Sequence, residues 1–163
     1  MARIAGKVTE QTVLDMKRAA TRLIALHGFQ GMNLRMLADE IGVKAGSFYN
    51  HIESKESLLH MLLADTMDEL MAGLDAALAG IDDPVHALRR FVAFHIEYHA
   101  VRRDQVFIGN AELRSLSEEH RAAIVARRDS DRPVRNIDAD AAEPGGCAVF
   151  VGYRELGDEP AAG

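Results

Sequence analysis

Residues 33–55 constrain the fold of this chain more than any other stretch. Asn33 is a good N-cap for a short helix whose apolar residues recur at i, i+3, i+4 and i+7, and Gly42 lies where the chain must leave that helix sharply. A second short helix, about Lys44 to His51, follows the turn, and Ser54 then begins a much longer third helix. Two short helices joined by a tight turn form a helix-turn-helix, whose second helix can enter a groove of DNA.

The side chains around this turn suit contacts with nucleic acid. We expect Phe48 to face the core, whereas most of its neighbours on the second short helix are hydrogen-bond donors, which match phosphate oxygens and base edges. A lysine beside a helix N-terminus, as at the start of the third helix, makes a phosphate site. Phosphate contacts are expected from Asn33, Lys44, Tyr49, His51 and Lys55. Base contacts are expected from Ala45, Ser47 and Asn50, with Arg35 and Met36 nearby.

Residues 42–59, GVKAGSFYNHIESKESLL, resemble the signature of the tetracycline-repressor (TetR/AcrR) family. That signature has a small residue and a glycine ahead of the recognition helix, then Tyr-x-His-Phe-x-x-Lys-x-x-Leu. The matching residues are Tyr49, His51, Lys55 and Leu58. Ile52 takes the place of the usual phenylalanine and keeps an apolar plug. The resemblance covers residues 8–70 and implies an all-α protein with a three-helix DNA-binding head, its helix-turn-helix at about 33–52. The alternative is that these residues only pack and solvate a small helical domain.

Charge is distributed unevenly along the chain. The net charge is −6, yet residues 1–55 carry eight Lys or Arg against five acids, whereas the rest of the chain carries 11 basic and 20 acidic side chains. A basic head on an acidic body fits a protein that touches phosphate at one end only. Chance unevenness is the alternative that charge by itself leaves open.

Composition and cysteine use argue against several other classes. A chain of 163 residues with 48% hydrophobic and 27% charged residues can bury a real core and is typical of a soluble globular protein. Cys147 is the single cysteine, so no intrachain disulfide can form. No apolar run reaches the ~18 residues of a membrane span, and the basic N-terminus is not followed by the apolar segment of a signal peptide. We therefore expect a cytoplasmic protein with no membrane partner.

No catalytic, cofactor or metal site stands out in the sequence. There is no glycine-rich phosphate loop, no marked pair of carboxylates, and no convincing base for Cys147, so we expect neither enzyme activity nor a cofactor. His95 and His99 have the i, i+4 spacing that can chelate a metal. Their run, HIEYH, lacks the glutamate directly after the first histidine that zinc proteases use, so a structural or effector-binding role is the stronger interpretation.

Helical periodicity continues beyond the head. The pattern predicts helices from Ser54 to about Leu78 and from Pro84 to about Arg102, then shorter segments at about 105–114 and from Ser117 onward. The resemblance implies that residues 71–128 are part of a regulatory body, which binds a small-molecule effector and supports a homodimer. Its aromatic and polar side chains on consecutive turns are pocket candidates, with core packing as the alternative for each. They are Phe91, Phe94, His95, Tyr98, His99 and Phe107. An apolar wall of this kind favours a lipophilic effector such as an acyl group.

The composition changes at Asp129. Residues 129–163 hold three of the four prolines, five glycines and a single leucine, and no helical stripe can be drawn through them. The resembled family has two long amphipathic helices in this region. We expect an irregular tail, either the product of truncation or a frameshift in a longer regulator, or a natural disordered segment.

These patterns favour a DNA-binding transcriptional regulator. The resemblance implies a homodimer that binds a double-stranded DNA operator, usually as a repressor, and that a small-molecule effector releases. One alternative is a truncated or frameshifted helical protein that binds DNA only weakly and non-specifically, because the helices that pair two heads are missing. Another is a helical small-molecule binding module whose helix-turn-helix is incidental.

Overall fold

The computed structural model describes residues 10–44, 46, 48 and 52–130, without the side chains of 128–130. Every regular element in this part of the chain is helical, which confirms the all-α fold class. The elements are α1 (Glu10–Gly31), α2 (Leu34–Ile41), α3 (Lys55–Leu78), α4 (Pro84–Val101), α5 (Arg103–Ala111), a 3₁₀ turn (Leu113–Ser115) and α6 (Glu118–Ser130). All of them belong to one compact unit, residues 1–132. Most of the predicted recognition helix at 44–51, and the tail from residue 131, lie outside the described residues.

Gly28 interrupts the first helix, α1. Gly28 has φ 71° and ψ 163°, a backbone conformation that side chains with a Cβ adopt only with strain. A further helical turn continues from there to Gly31, so α1 is two helical pieces joined at a kink. The kink frees backbone groups from the helical ladder, and other side chains must bind them.

Each end of α2 has the cap that the sequence predicts. The Asn33 Oδ1 accepts hydrogen bonds from the backbone N–H groups of Arg35 and Met36, each at 3.0 Å. At the other end Gly42 is left-handed and its N–H donates to the Ala38 carbonyl, a common way to close a helix. These caps satisfy backbone groups that an eight-residue helix leaves unpaired at its termini.

The N-terminus of α3 is fixed by a reciprocal pair of serines. The Ser57 N–H donates to the Ser54 Oγ at 3.0 Å, and the Ser54 N–H donates to the Ser57 Oγ at 2.9 Å. This is a capping box in which a serine takes the place of the usual Glu or Gln. The predicted cap at Ser54 is confirmed, and α3 begins directly behind the predicted recognition helix.

One hydrophobic core joins the head to the helices that follow it. Phe48 is 1% exposed and Ile52 is 3% exposed, so both predicted apolar plugs face the core. The same cluster includes Ile108 of α5 and Ile124 of α6, with α3 packed against α1, α4, α5 and α6. The predicted boundary between residues 70 and 71 falls inside α3, which runs on without a break. The division of the chain into 8–70 and 71–128 therefore stays a prediction.

α4 packs closely on α3 at a glycine. A Cβ added at Gly73 would lie 2.7 and 2.8 Å from two atoms of the Phe94 ring, so only glycine admits the ring there. Nearby, the Tyr98 hydroxyl donates to the Thr66 carbonyl at 3.0 Å, and the Arg102 Nε lies 3.0 Å from a Glu69 carboxylate oxygen. The outer face of α4 carries large apolar side chains that are about half exposed or more. They are Val85, Leu88, Val92 and Ile96.

Gly73→Ala should lower the free energy of unfolding by about 1 kcal/mol, because the new methyl group forces the Phe94 ring away from α3. The matched control is Gly109→Ala in α5, where a Cβ meets nothing within 4 Å and alanine favours the helix by up to about 1 kcal/mol. Urea denaturation of both variants measures the difference. Equal shifts in the two variants would contradict a close approach at Gly73.

Candidate nucleic-acid interface

α2 and the first turn of α3 flank the predicted recognition helix. Asn33 is exposed at the start of α2, where its Oδ1 is bound by two N–H groups, which leaves its side-chain NH₂ as the donor for a phosphate. Arg35 is exposed beside it, whereas Met36 is half-buried and packs against the core. Lys44 is exposed just after the turn at Gly42. The structure therefore brings four of the predicted DNA-contact residues to the α2 side of the segment.

Five of the predicted contact residues lie outside the described residues. They are Ala45, Ser47, Tyr49, Asn50 and His51. Their proposed contacts with phosphates and bases stay predictions. Within the same segment Gly46 is exposed and Phe48 is buried.

Lys55 contacts the end of α1. Its Nζ donates to the carbonyls of Phe29 at 2.8 Å and Met32 at 3.0 Å, and it lies 4.3 Å from the centre of the Phe29 ring. A charged donor on two carbonyls and a ring face closes the C-terminal end of a helix well. Sequence reasoning missed this structural role, although the kink at Gly28 indicates that carbonyls there need a donor. A phosphate contact by Lys55 stays a prediction.

Ion pairs within the fold engage other basic residues of the head. The Lys17 Nζ lies 2.6 Å from an Asp65 carboxylate oxygen, which joins α1 to α3, and Arg22 pairs with Glu40 of α2. The positive charge counted along residues 1–55 is therefore partly neutralised by neighbours within the structure.

Glu112, which follows α5, binds the kink in α1. Its Oε1 accepts a hydrogen bond from the Phe29 N–H at 3.0 Å, and its Oε2 accepts one from the Ser115 Oγ at 2.8 Å. Phe29 thus has its N–H bound by the body of the protein and its carbonyl bound by Lys55. Nothing in the sequence pattern marks Glu112, because 83 residues separate it from its partner.

A second contact between head and body lies at the first turn of α3. The Glu56 Oε1 accepts hydrogen bonds from the Ser117 N–H at 2.8 Å and from the His120 Nδ1 at 2.9 Å. The backbone N–H of Ser117, followed by the His120 side chain, lowers the pKa of Glu56 from 4.5 to about 2. A carboxylate of the head therefore holds the N-terminal end of α6. Sequence reasoning missed this contact as well.

The predicted effector-pocket residues fall into two groups. Phe91, Phe94, His95, Tyr98 and His99 form a series of ring contacts along α4, with centroid distances from 4.2 to 6.4 Å. Burial lowers the pKa of His95, whose Nδ1 lies 3.3 Å from the Phe91 carbonyl, and nearby His99 lowers it further. Phe107 lies on α5 and is 54% exposed. Two of the five on α4, Phe94 and Tyr98, also fasten α4 to α3, and a pocket role for the set stays a prediction.

The described residues form neither a metal-binding cluster nor a membrane-spanning helix. No group of three or more His, Cys, Asp or Glu side chains is arranged to hold a metal ion in this part of the chain. Over the same residues, no helix combines the length and apolarity needed to cross a membrane.

Fold and surface together define an all-helical protein in which a capped α2 and a sharp turn precede the long α3 that joins the head to a helical body. Residues 18–62 match the family model for bacterial regulatory proteins of the tetR family, and residues 82–148 match the model for the tetracyclin repressor-like C-terminal domain. The chain belongs to the tetR family. The second match extends past the change in composition at Asp129.

Characterised proteins resemble the chain over most of its length. The HTH-type transcriptional repressor KstR2 of Mycobacterium tuberculosis is 26% identical over 132 residues, which are 81% of this chain and 66% of the repressor. The structure of a tetR-family regulatory protein from Rhodococcus RHA1 is 30% identical with a TM-score of 0.71, covering 75% of this chain and 64% of that one. The structure of AibR with isovaleryl coenzyme A and operator DNA is 29% identical with a TM-score of 0.63, covering 71% and 63%. The chain spans between 52% and 66% of the length of the curated relatives that it matches.

Lys55→Met should lower the free energy of unfolding by about 1.5–3 kcal/mol, because the carbonyls of Phe29 and Met32 lose a charged donor. The matched control is Lys44→Met, an exposed lysine 11 residues earlier in the sequence, whose change should stay within about 0.5 kcal/mol. Urea denaturation measures both. If the two variants are equally stable, the contact of Lys55 with α1 contributes nothing to folding.

Proposed function

We propose that the chain is a DNA-binding transcriptional regulator that acts as a repressor and is released by a small-molecule effector. The observation that carries this proposal is the match of residues 18–62 to the tetR family over the segment in which α2 is capped at Asn33 and closed at Gly42. KstR2 is a transcriptional repressor by name, and AibR was solved on operator DNA, which supports the same role here. The proposal includes a cytoplasmic location, beside the chromosome.

DNA recognition is proposed to combine two kinds of contact. Asn33 and Lys44, with Tyr49, His51 and Lys55, would bind phosphates and fix the orientation of the head, and Arg35, Met36, Ala45, Ser47 and Asn50 would meet or approach the bases. In a homodimer, two such heads would enter successive major grooves about 34–36 Å apart. The exposed apolar face of α4 supports an intermolecular contact.

Effector binding in the body is proposed to release DNA from the head by way of two polar contacts between body and head. Glu112 binds the kink in α1, and Glu56 binds the N-terminal end of α6. Because α3 directly follows the predicted recognition helix and Phe48 belongs to the same core as α1, a shift of α5 or α6 would move the DNA-contacting segment relative to its copy in the other subunit. In the domain division that we propose, the head is 8–70 and the effector region is 71–128.

The effector is proposed to be lipophilic, with an acyl thioester as the first candidate. AibR was solved with isovaleryl coenzyme A, and the ring series on α4 supplies the apolar surface that an acyl chain would need. The histidines of that series, His95 and His99, add polar groups for a carbonyl or a hydroxyl.

Fluorescence anisotropy tests the proposed DNA binding, with a duplex from upstream of the chain's own gene and a scrambled duplex in parallel. Binding of the first duplex should be at least about a hundredfold tighter, as expected of a specific regulator. Lys44→Ala should weaken binding to both duplexes alike and reduce the slope of log K against log salt by about 0.9, because one phosphate contact is lost. Lys55→Ala should reduce the slope by the same amount only if Lys55 also contacts a phosphate.

Equal and weak binding to both duplexes, lost as salt is raised, would contradict a working regulator. It would favour the alternative of a head that folds but is not held in a pair. Mass measurement in solution by light scattering accompanies the titration, since a dimer is required for the two-groove geometry.

Titration of the DNA complex with isovaleryl coenzyme A tests the proposed effector class. The thioester should lower the anisotropy, and coenzyme A without the acyl group should not, because only the acyl chain would fill the apolar pocket proposed at the ring series on α4. Phe91→Ala should reduce the response without altering DNA affinity, whereas Leu26→Ala, at a 72% exposed position on α1, should leave the response unchanged. An identical response to both compounds would rule out recognition of the acyl chain.

A further inference from the structure

Glu56 supplies a cap for a helix other than its own. Ser117 precedes α6, and its Oγ accepts a long hydrogen bond, 3.3 Å, from the backbone N–H of His120. Ser117 by itself is therefore a weak cap for α6. The Glu56 carboxylate adds two contacts from α3, one on the Ser117 N–H and one on the His120 ring. A negative charge at a helix N-terminus also interacts favourably with the helix dipole. The docking of α6 on α3 therefore depends on charge at this point.

His60 lies one helical turn after Glu56 and is part of the same cluster. Its ring stacks on the His120 ring with the centroids 4.2 Å apart and the planes 11° from parallel. Its Nε2 is buried and has no hydrogen-bond partner among the described residues. A proton added to that nitrogen would create a buried N–H without an acceptor, next to a second histidine.

We propose that Glu56, His60 and His120 form a pH-sensitive latch between α3 and α6, closed when His60 is neutral and opened when His60 is protonated. Of the charged and titratable groups that act on His60, His120 and Arg127 come from α6 and Glu56 comes from α3 itself. The Arg127 Nε also lies 3.3 Å from an Asp68 carboxylate oxygen of α3. The His120 side chain is bonded to Glu56 through Nδ1, and its charge disfavours a proton on the stacked His60 ring.

The sign of the effect follows from the direction of the pKa shift. Burial, then the charges of His120 and Arg127, hold the pKa of His60 below its ordinary value of 6.5 while the latch is closed. Protons therefore bind the open form more tightly, and the closed form loses stability as the pH falls below 6.5. The Glu56 contribution is lost only below pH 4.5, as the pH falls toward a pKa of about 2, so the two groups act in different pH ranges.

The latch joins parts of the protein that the proposed function requires to move together. α6 lies in the body, and the first turn of α3 directly follows the predicted recognition helix. Opening would loosen the body from the head, and this consequence for DNA binding rests on the proposed function. The latch itself does not, since it concerns the docking of two helices in the protein without DNA.

Amide hydrogen exchange of the 163-residue chain without DNA tests the latch, with rates corrected for the intrinsic effect of pH. Exchange in α6 should be faster at pH ~5.5 than at pH ~7.5 by up to about tenfold, the limit for a group of ordinary pKa 6.5 examined one unit below that value. Exchange in α2 (Leu34–Ile41), a helix of the head, is the internal reference. A wild-type protein whose α6 exchange is independent of pH over this range would overturn the proposal.

Two substitutions assign the effect to His60. His60→Phe keeps a ring for stacking, and His60→Gln keeps a polar group, but neither side chain binds a proton in this range, so both should abolish the pH dependence of α6 exchange. His86→Gln, at an exposed histidine on α4, is the matched control and should keep it. Circular dichroism verifies that each variant folds. Retention of the full pH dependence in folded His60→Phe or His60→Gln would also overturn the proposal. A failure of DNA binding in the anisotropy experiment does not change the exchange results. A failure of the proposed function and a failure of the latch can therefore be distinguished.

Discussion

The hydrogen bonds that two side chains make to the backbone of Phe29, next to the kink in α1, are the constraint on which the rest of the structure depends. Gly28 turns the chain out of the helical ladder, and the N–H and carbonyl of Phe29 are then bound by side chains from two other parts of the chain. Glu112 reaches the N–H from beyond α5, and Lys55 reaches the carbonyl from the first turn of α3. Because buried backbone groups are costly to leave unpaired, this one residue ties α1, α3 and the body together.

The shared core and these polar contacts make the head and the body mechanically continuous. α3 belongs to both, since its side chains Leu58, Leu59, Leu62 and Leu63 join the core of the head and the same helix packs against α4, α5 and α6. Near its start Glu56 holds α6, and further along Gly73 admits the Phe94 ring of α4. A change in the body can therefore reach the proposed DNA-binding end along one continuous helix. This is the physical basis for regulation in the proposed function.

The sequence predicted where the candidate site lies, but not the role of every residue in it. The sequence located the turn, the caps and the buried Phe48, and the family match covers the same residues. Because Lys55 lies at a helix N-terminus, the sequence predicted a phosphate contact for it. In the structure its Nζ donates to the carbonyls of Phe29 in α1 and of Met32 just after α1. Local pattern carries no information about a carbonyl 26 residues away. Glu56 and Glu112 were missed for the same reason, because their partners are 61 and 83 residues distant.

The sequence by itself determined where α2, α3 and α4 begin and which of their faces are apolar. Asn33, Gly42, Ser54 and Pro84 act within a turn of their own position, and helical periodicity is also a local property. Only the tertiary structure decided which helix meets which, and therefore that a carboxylate of α3 caps α6 and that two histidines stack between them. Those contacts depend on how the helices cross, and the crossing is set by the packing of the whole core, which no single segment of sequence specifies.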